Sequence, residues 1–247
     1  METKNWFKDW FNSPYYHLLY SNRNEDEANA FINRLVSHLK PAANAKLLDV
    51  ACGKGRHSKA LAEMGFDVTG IDLSIESITE AKQDESDNLH FYTHDMRLPF
   101  WINYYDIAFN FFTSFGYFKT QREHNNAIRS IAQSIKHNGI LVIDYLNVNY
   151  EETHFEKSIE KKIDEFTFIS TKWHTDKHFF KQIQVVGNKD EQPVNLSTER
   201  VAKFSLEDFR AMLLLQNMQI QEVFGDYNLS AYNVDTSKRM IIVAKKN

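Results

Sequence analysis

The stretch LLDVACGKGRHS, residues 47–58, carries a hydrophobic strand pattern into a glycine-rich turn that opens a helix. Gly53 and Gly55 let the backbone approach a ligand with no Cβ in the way. The free N–H groups of such a turn favour an anionic or polar group. Dinucleotide-binding turns follow G-x-G-x-x-G, and here the third position holds Ser58. Asp72 closes the next strand pattern, nineteen residues after Gly53, where a carboxylate can accept from both ribose hydroxyls. Asp95-Met96 follows a third strand, where the acid can take an exocyclic amine and the thioether can lie on a purine face. Asp49, just before the turn, can organise it or meet a ligand ammonium. Taken singly, each acid has the plainer reading of a solvated strand end. Three at the carboxyl ends of three successive strands mark the rim where open α/β sheets bind ligands.

These residues need a particular scaffold. From Lys46 the chain alternates β-rich runs with helical stretches: KLLDVA, RHSKALAEMG closed by Gly65, FDVTGIDLS, SIESITEAKQ capped by Ser74, LHFYTHDM and YYDIAFNFFTSFG. QREHNNAIRSIAQSIKHNG then predicts a helix ended by Gly139, and GILVIDYLN a fifth strand. Such alternation predicts an α/β fold, a parallel sheet with helices on both faces. Residues 151–204 break the pattern, with the strand-like runs FTFISTKW, HFFKQIQVV and STERVAKF. They predict a small antiparallel β insertion, for a substrate or an oligomer contact. SLEDFRAMLLLQN, capped by Ser205 with Asp208 three residues on, predicts a helix before two closing strands, MQIQEVFGDY and RMIIVAKK. The expected division is a helical or lid segment at 1–45, a ligand-binding domain at 46–150 and 205–247, and the insert at 151–204.

Composition narrows the function. With 29 Lys and Arg against 33 Asp and Glu, the net charge of −4 disfavours a phosphate-neutralising surface, so no nucleic acid is expected. One cysteine asks for no oxidising compartment. The first twenty residues carry charges and no apolar h-region, arguing against a signal peptide, and no apolar run is long enough to span a bilayer. A cytoplasmic protein without membrane contact is the expectation. The pairs His90/His94 and His174/His178 have helical metal spacing but fall in strand patterns, where four residues span about 13 Å, so no metal is expected. Cys52 reads as a small packing residue in the turn. The high aromatic share, 14%, includes Trp6, Phe7, Trp10 and Phe11 on one helical face, which either packs on the fold or forms a lid. As a lid it would turn Tyr16, Tyr20 and Arg23 to a ligand, Arg23 pairing with a carboxylate.

On these motifs the chain resembles the class I S-adenosylmethionine-dependent methyltransferases, in a branch acting on small molecules. Residues 49–55, with Asp49, Ala51, Cys52, Gly53 and Gly55, look like that family's first motif; GIDLS, with Asp72 and Leu73, looks like its ribose-binding segment; Asp95 and Met96 look like its adenine pair. Asn110 and Phe111 fall where its fourth strand meets the cofactor. The resemblance implies a Rossmann-like three-layer sandwich with a seven-stranded, mostly parallel sheet of order 3-2-1-4-5-7-6. It implies S-adenosylmethionine as cofactor, S-adenosylhomocysteine as product, and an in-line methyl transfer driven by positioning, without metal. His57 is then a cofactor neighbour. Tyr16, Tyr20, Phe115, Tyr117 and Asn147 are candidates for the acceptor, and no general base is singled out. A monomer or homodimer fits. Two other readings stay open: a nicotinamide-dependent oxidoreductase, which Gly53, Gly55 and Asp72 would also serve, and a non-catalytic cofactor-binding interaction module.

Overall fold

The computed structural model describes residues 6–20, 25–187 and 193–247. In chain order these form α1 (Trp6–Phe11), α2 (Pro14–Leu19), α3 (Glu25–Leu39), β1 (Lys46–Val50), α4 (Arg56–Glu63), β2 (Asp67–Asp72), α5 (Ile75–Ala81) and β3 (Leu89–Thr93). They continue with β4 (Tyr105–Asn110), α6 (Gln121–Ser134), β5 (Ile135–Leu146), α7 (Val148–Thr153), β6 (Ser158–Ile163), β7 (Phe166–His174), β8 (His178–Gly187) and β9 (Asn195–Ala202). α8 (Leu206–Leu214), β10 (Met218–Phe224) and β11 (Arg239–Lys246) close the chain. No helix among the described residues is long and apolar enough to cross a membrane.

Seven strands pair in the order β3-β2-β1-β4-β5-β11-β10. β1 to β5 run parallel, and β11 is antiparallel to both β5 and β10. Counting only this sheet's strands, the order is the expected 3-2-1-4-5-7-6. Both faces are covered, so alternate residues of one strand enter different cores. Leu48 and Val50 pack with Ile128 and Ile131 of α6 and Phe209 of α8. Leu47 packs with Phe31, Ile32 and Leu35 of α3 and Leu61 of α4.

The helix starts follow their caps. The Ser74 side chain accepts from the Ser77 N–H at the start of α5. Reciprocal capping boxes, Thr120 with Glu123 and Ser205 with Asp208, open α6 and α8. One boundary differs from expectation. α6 ends at Ser134, not at Gly139, because Ile135 is buried and pairs with Tyr105 as the first residue of β5. Lys136, His137 and Asn138 lie in a register shift of that strand, with Asn138 at φ 65°. The apolar period across 127–135 does not distinguish a last helical turn from a strand that buries its first residue.

The insert is a four-stranded antiparallel sheet, β6-β7-β8-β9, one strand more than expected. The extra strand, β6, is the charged run SIEKKI, mostly exposed along one edge. Its polar residues on both sides hide the alternation that marks a half-buried strand. The inner side of this sheet, with Phe168, Ile183 and Val185, packs on Trp10 and Leu19 of the N-terminal helices. Tyr145 of β5 ties the two sheets by donating to the carbonyl of Ala202.

Candidate active site

The turn after β1 is held by a lattice of backbone and carboxylate. Ala51, Gly53 and Gly55 all have positive φ, at 62°, 56° and 80°. The two glycines serve different ends. A Cβ on Gly53 would meet open space, whereas one on Gly55 would overlap the buried ring of Phe91. Gly53 therefore opens onto the cavity described below, and Gly55 lets α4 pack against the sheet. Asp72, at the end of β2, accepts from the Gly53 N–H through Oδ2 and from the Ser74 N–H through Oδ1, each at 2.8 Å. Burial raises its pKa, against the pull of those two N–H groups. Behind the turn, Asp49 is 1% exposed and accepts from the Ser58 hydroxyl at 2.6 Å. Burial, opposed by that bond and reinforced by Asp72, pushes its pKa up to about 6. Ser58 thus has a task a third glycine could not perform: it fastens α4 to β1. Burial also pushes the Cys52 thiol up, which suits a packing role between Gly70 and Phe91.

Asp95, past the end of β3, is engaged by a residue the sequence analysis passed over. Arg97 reaches it through Nε and Nη2, the latter at 2.6 Å, and its main-chain N–H adds a further bond at 2.9 Å. The guanidinium also donates to Glu123 at 2.7 Å and lies 4.9 Å from the Phe118 ring. Burial opposes ionisation of Asp95, but Arg97 draws it below the usual carboxylate range. An Asp-x-Arg pattern after a strand was the available signal.

After β4 the chain makes a tight reversal with Phe112 and Thr113 both left-handed, at φ 55° and 58°. Such backbone is costly in non-glycine residues and persists only where the surroundings impose it. Here Asp144 of β5, fully buried, accepts from the Phe112 N–H at 2.8 Å, and its main-chain carbonyl accepts from the Thr113 N–H. Arg239 of β11 donates to both Asp144 and the Thr113 hydroxyl. The reversal brings Phe112 into a stack on His57, with ring centroids 5.0 Å apart and planes at 21°.

Above the turn lie α1 and α2. Ser74 donates to Asn12 at 2.6 Å, and Glu199 of β9 accepts from the Trp10 indole at 2.8 Å and from the Tyr20 hydroxyl at 3.2 Å. Phe7 and Trp10 are buried, while Phe11, Tyr16 and Tyr20 face a cavity of about 510 Å³. The aromatic face is thus divided between packing, by Phe7 and Trp10, and lining the cavity, by Phe11. Glu199 also lines this cavity, and no local sequence signal marks it, because its partners Trp10 and Tyr20 lie 189 and 179 residues away.

The cavity gathers most of the candidates at the carboxyl ends of the strands. Asp49, Ala51, Cys52, Gly53 and His57 line it from the turn. Asp72, Leu73, Asp95 and Met96 line it from β2 and β3, and Phe111 and Tyr117 from the loop after β4. Four candidates have other work. Gly55 is under Phe91. Asn110 donates to the Val50 carbonyl, joining β4 to β1. Phe115 is buried among Phe118, His124, Phe204 and Phe209, because the left-handed reversal turns it into the core. Asn147 donates to the carbonyls of Val234 and Ser237 and so fastens the loop before β11. Arg23 lies outside the described residues. Among the described residues no group of three or more His, Cys, Asp or Glu is placed to hold a metal.

The family profile described as a methyltransferase domain matches residues 41–197. The chain belongs to this methyltransferase family. It is an S-adenosylmethionine-dependent methyltransferase. YqeM of Bacillus subtilis, which carries the name methyltransferase, is 27% identical over 217 residues, 82% of this chain and 84% of its own. A dTDP-3-amino-3,4,6-trideoxy-alpha-D-glucopyranose N,N-dimethyltransferase of Streptomyces venezuelae is 33% identical over 132 residues, 52% of this chain and 54% of its own. The fold is shared with a crystal structure of an S-adenosylmethionine-dependent methyltransferase from Clostridium acetobutylicum, with a TM-score of 0.77 at 16% identity over 94% of this chain and 96% of that one. The nicotinamide and non-catalytic readings gain no support from these relatives.

The site of the methyltransferase suits the cofactor. Its volume is in the range that takes a drug-sized ligand. Gly53 leaves open space where a Cβ would stand, and Asp72 is fixed beside it by two N–H groups.

Proposed function

We propose that this methyltransferase moves the methyl group to a small-molecule acceptor, with the cofactor on the cavity floor and the acceptor under the aromatic roof. The observation that carries the reading is the meeting, in one cavity, of the Gly53 turn with Asp72 and Asp95 below and Phe11, Tyr16 and Tyr117 above. The cofactor supplies an electrophilic methyl on a sulfonium. Asp72 holds ribose hydroxyls, using the lone pairs left by Gly53 and Ser74. Asp95 and Met96 receive the adenine, and Ala51, Gly53 and Leu73 border it with main chain. Cys52 and His57 pack beside the turn, and Phe111 backs it from the loop after β4. Asp49 acts through the turn, setting its shape by the bond to Ser58. A stretch of roof and floor that excludes water and fixes both partners is the main contribution a protein makes to such a displacement.

The comparison with a curated amino-sugar dimethyltransferase supports an acceptor of small size. The division of labour follows: residues 1–45 as cap, 46–150 and 205–247 as the methyltransferase core, and 151–204 as the acceptor-side insert. A buried single cysteine fits a reducing compartment, and we place the chain in the cytoplasm as a monomer or homodimer. Calorimetry with S-adenosylmethionine and S-adenosylhomocysteine, followed by a labelled-methyl screen over metabolite pools, tests the reading. Cofactor binding with transfer only to macromolecules would overturn the acceptor assignment.

A further inference from the structure

We infer that the roof of the cavity selects a cationic amine acceptor and that Glu199, from the insert, is the carboxylate that selects it. The inference rests on the methyltransferase reading above and goes beyond it in naming the acceptor's chemistry.

The floor is already committed. Asp72 is engaged by the Gly53 turn and Asp95 by Arg97, so neither is the free carboxylate of the upper cavity. The upper wall is aromatic and continuous. Phe11 stands 5.3 Å from Tyr117 and 5.0 Å from Tyr16, centroid to centroid, and Tyr16 stands 4.9 Å from Tyr20. Glu199 ends that wall, hydrogen-bonded to Tyr20 and lining the same cavity. Both of its described bonds come from neutral donors, Trp10 and Tyr20, and both fall on Oε1. A carboxylate has about four acceptor positions over two oxygens, so Oε2 keeps its capacity.

The cavity also carries cations among its described residues: Lys54, paired with Glu80 at 2.7 Å, and Arg56, over the Phe112 ring at 5.2 Å. Lys181, the cross-strand partner of Glu199, donates to the Tyr20 hydroxyl at 2.6 Å and stands 5.0 Å from the Tyr20 ring centroid. Through that hydroxyl it meets the Oε1 side of Glu199. Aromatic faces present negative potential, and a carboxylate adds to it. An anionic acceptor would be repelled by such a wall, and a neutral hydroxyl would gain little from it. An alkylammonium gains from both.

The chemistry balances with an amine. The bound ammonium releases a proton to water, and the nitrogen lone pair forms the new N–C bond. The C–S bond breaks with its electron pair left on sulfur, and positive charge passes from sulfur to nitrogen. Charge therefore develops on the nitrogen during transfer, and the aromatic wall and Glu199 favour that change.

Glu199→Gln separates charge from structure, because the amide oxygen still accepts from Trp10 and Tyr20. With the protein saturated in S-adenosylhomocysteine, calorimetry compares cyclohexylammonium with cyclohexanol. Wild type is expected to prefer the ammonium by about tenfold or more. E199Q should lose that preference while its affinity for S-adenosylhomocysteine stays unchanged. Tyr117→Leu, which leaves the Glu199 bonds in place, should lower ammonium affinity several-fold and gives a second test if E199Q fails to fold. Equal binding of the two probes by wild type, binding of neither, or an ammonium preference retained in E199Q would overturn the inference. Failure of wild type to bind S-adenosylhomocysteine at all would instead overturn the functional reading on which it rests.

Discussion

Arg239 and the fully buried Asp144 form an ion pair, 2.7 Å apart, that clasps the left-handed reversal at Phe112 and Thr113. Replacing Arg239 with Met leaves the Asp144 carboxylate buried without its counter-charge. We expect a loss of about 3–5 kcal/mol in unfolding free energy, as for other broken buried pairs. Urea unfolding measures it. A loss below about 1 kcal/mol would show that the reversal holds without this clasp.

The two glycines of the turn should separate binding from folding. Gly53→Ala meets no neighbour and carries only the cost of a left-handed alanine, roughly 1–2 kcal/mol. Its cofactor affinity should nevertheless fall, because the new methyl projects into the cavity. Gly55→Ala adds overlap with Phe91 to the same backbone cost, and roughly 2–5 kcal/mol is expected. Thermal melts with and without S-adenosylhomocysteine distinguish the two. Equal melting losses would contradict the separate roles.

Asp72→Ala removes a carboxylate that holds the turn and that we propose for the ribose. Cofactor binding should weaken by about 1–3 kcal/mol, which is roughly fivefold to more than a hundredfold. Calorimetry at constant pH gives the number directly. Wild-type affinity in this variant would refute the ribose contact.

Asp49 makes stability depend on pH with a definite sign. Its folded pKa, about 6, lies above the usual carboxylate value, so the native state binds the proton more tightly than the unfolded chain does. The protonated group's contribution is complete below about pH 4 and is lost as pH rises through 6. Relative to Asp49→Asn, wild type should therefore lose about 2–3 kcal/mol between pH 4 and pH 7. Denaturant titrations of both proteins at several pH values measure the difference. A difference that is flat with pH, or that grows the other way, contradicts a raised pKa.

The floor of the site was legible because its signals are local. Gly53 and Asp72 lie nineteen residues apart, across one strand–helix–strand unit whose geometry is fixed by the fold class. The roles of Phe115, Asn110 and Asn147 were not legible. Their residue types suit a ligand, but the core and the joints between strands need the same types, and only the reversal at Phe112–Thr113 decides where Phe115 goes. Asn147 finds its carbonyl partners 87 and 90 residues further on, a distance no motif spans. The Gly139 stop failed because a strand residue, Ile135, carries the apolar period beyond the helix end. Glu199 and Arg97 differ in what the sequence carries: Glu199 has no local context, whereas Arg97 stands two residues from Asp95 in an Asp-x-Arg pattern.

The hydrogen bond from Trp10 to Glu199 closes a span of 189 residues, against 19 for that from Gly53 to Asp72. Chain statistics put the extra closure entropy at about 2 kcal/mol. During folding, the roof is thus expected to close after the floor, and during local opening it should part first. Amide exchange should show protection at the start of the chain falling before protection at Gly53, and the reverse order would refute this. A chain caught in that partly open state keeps the floor of the cavity and presents its upper wall to solvent. Entry to the cavity is then a matter of unzipping two short helices, with the central sheet left undisturbed.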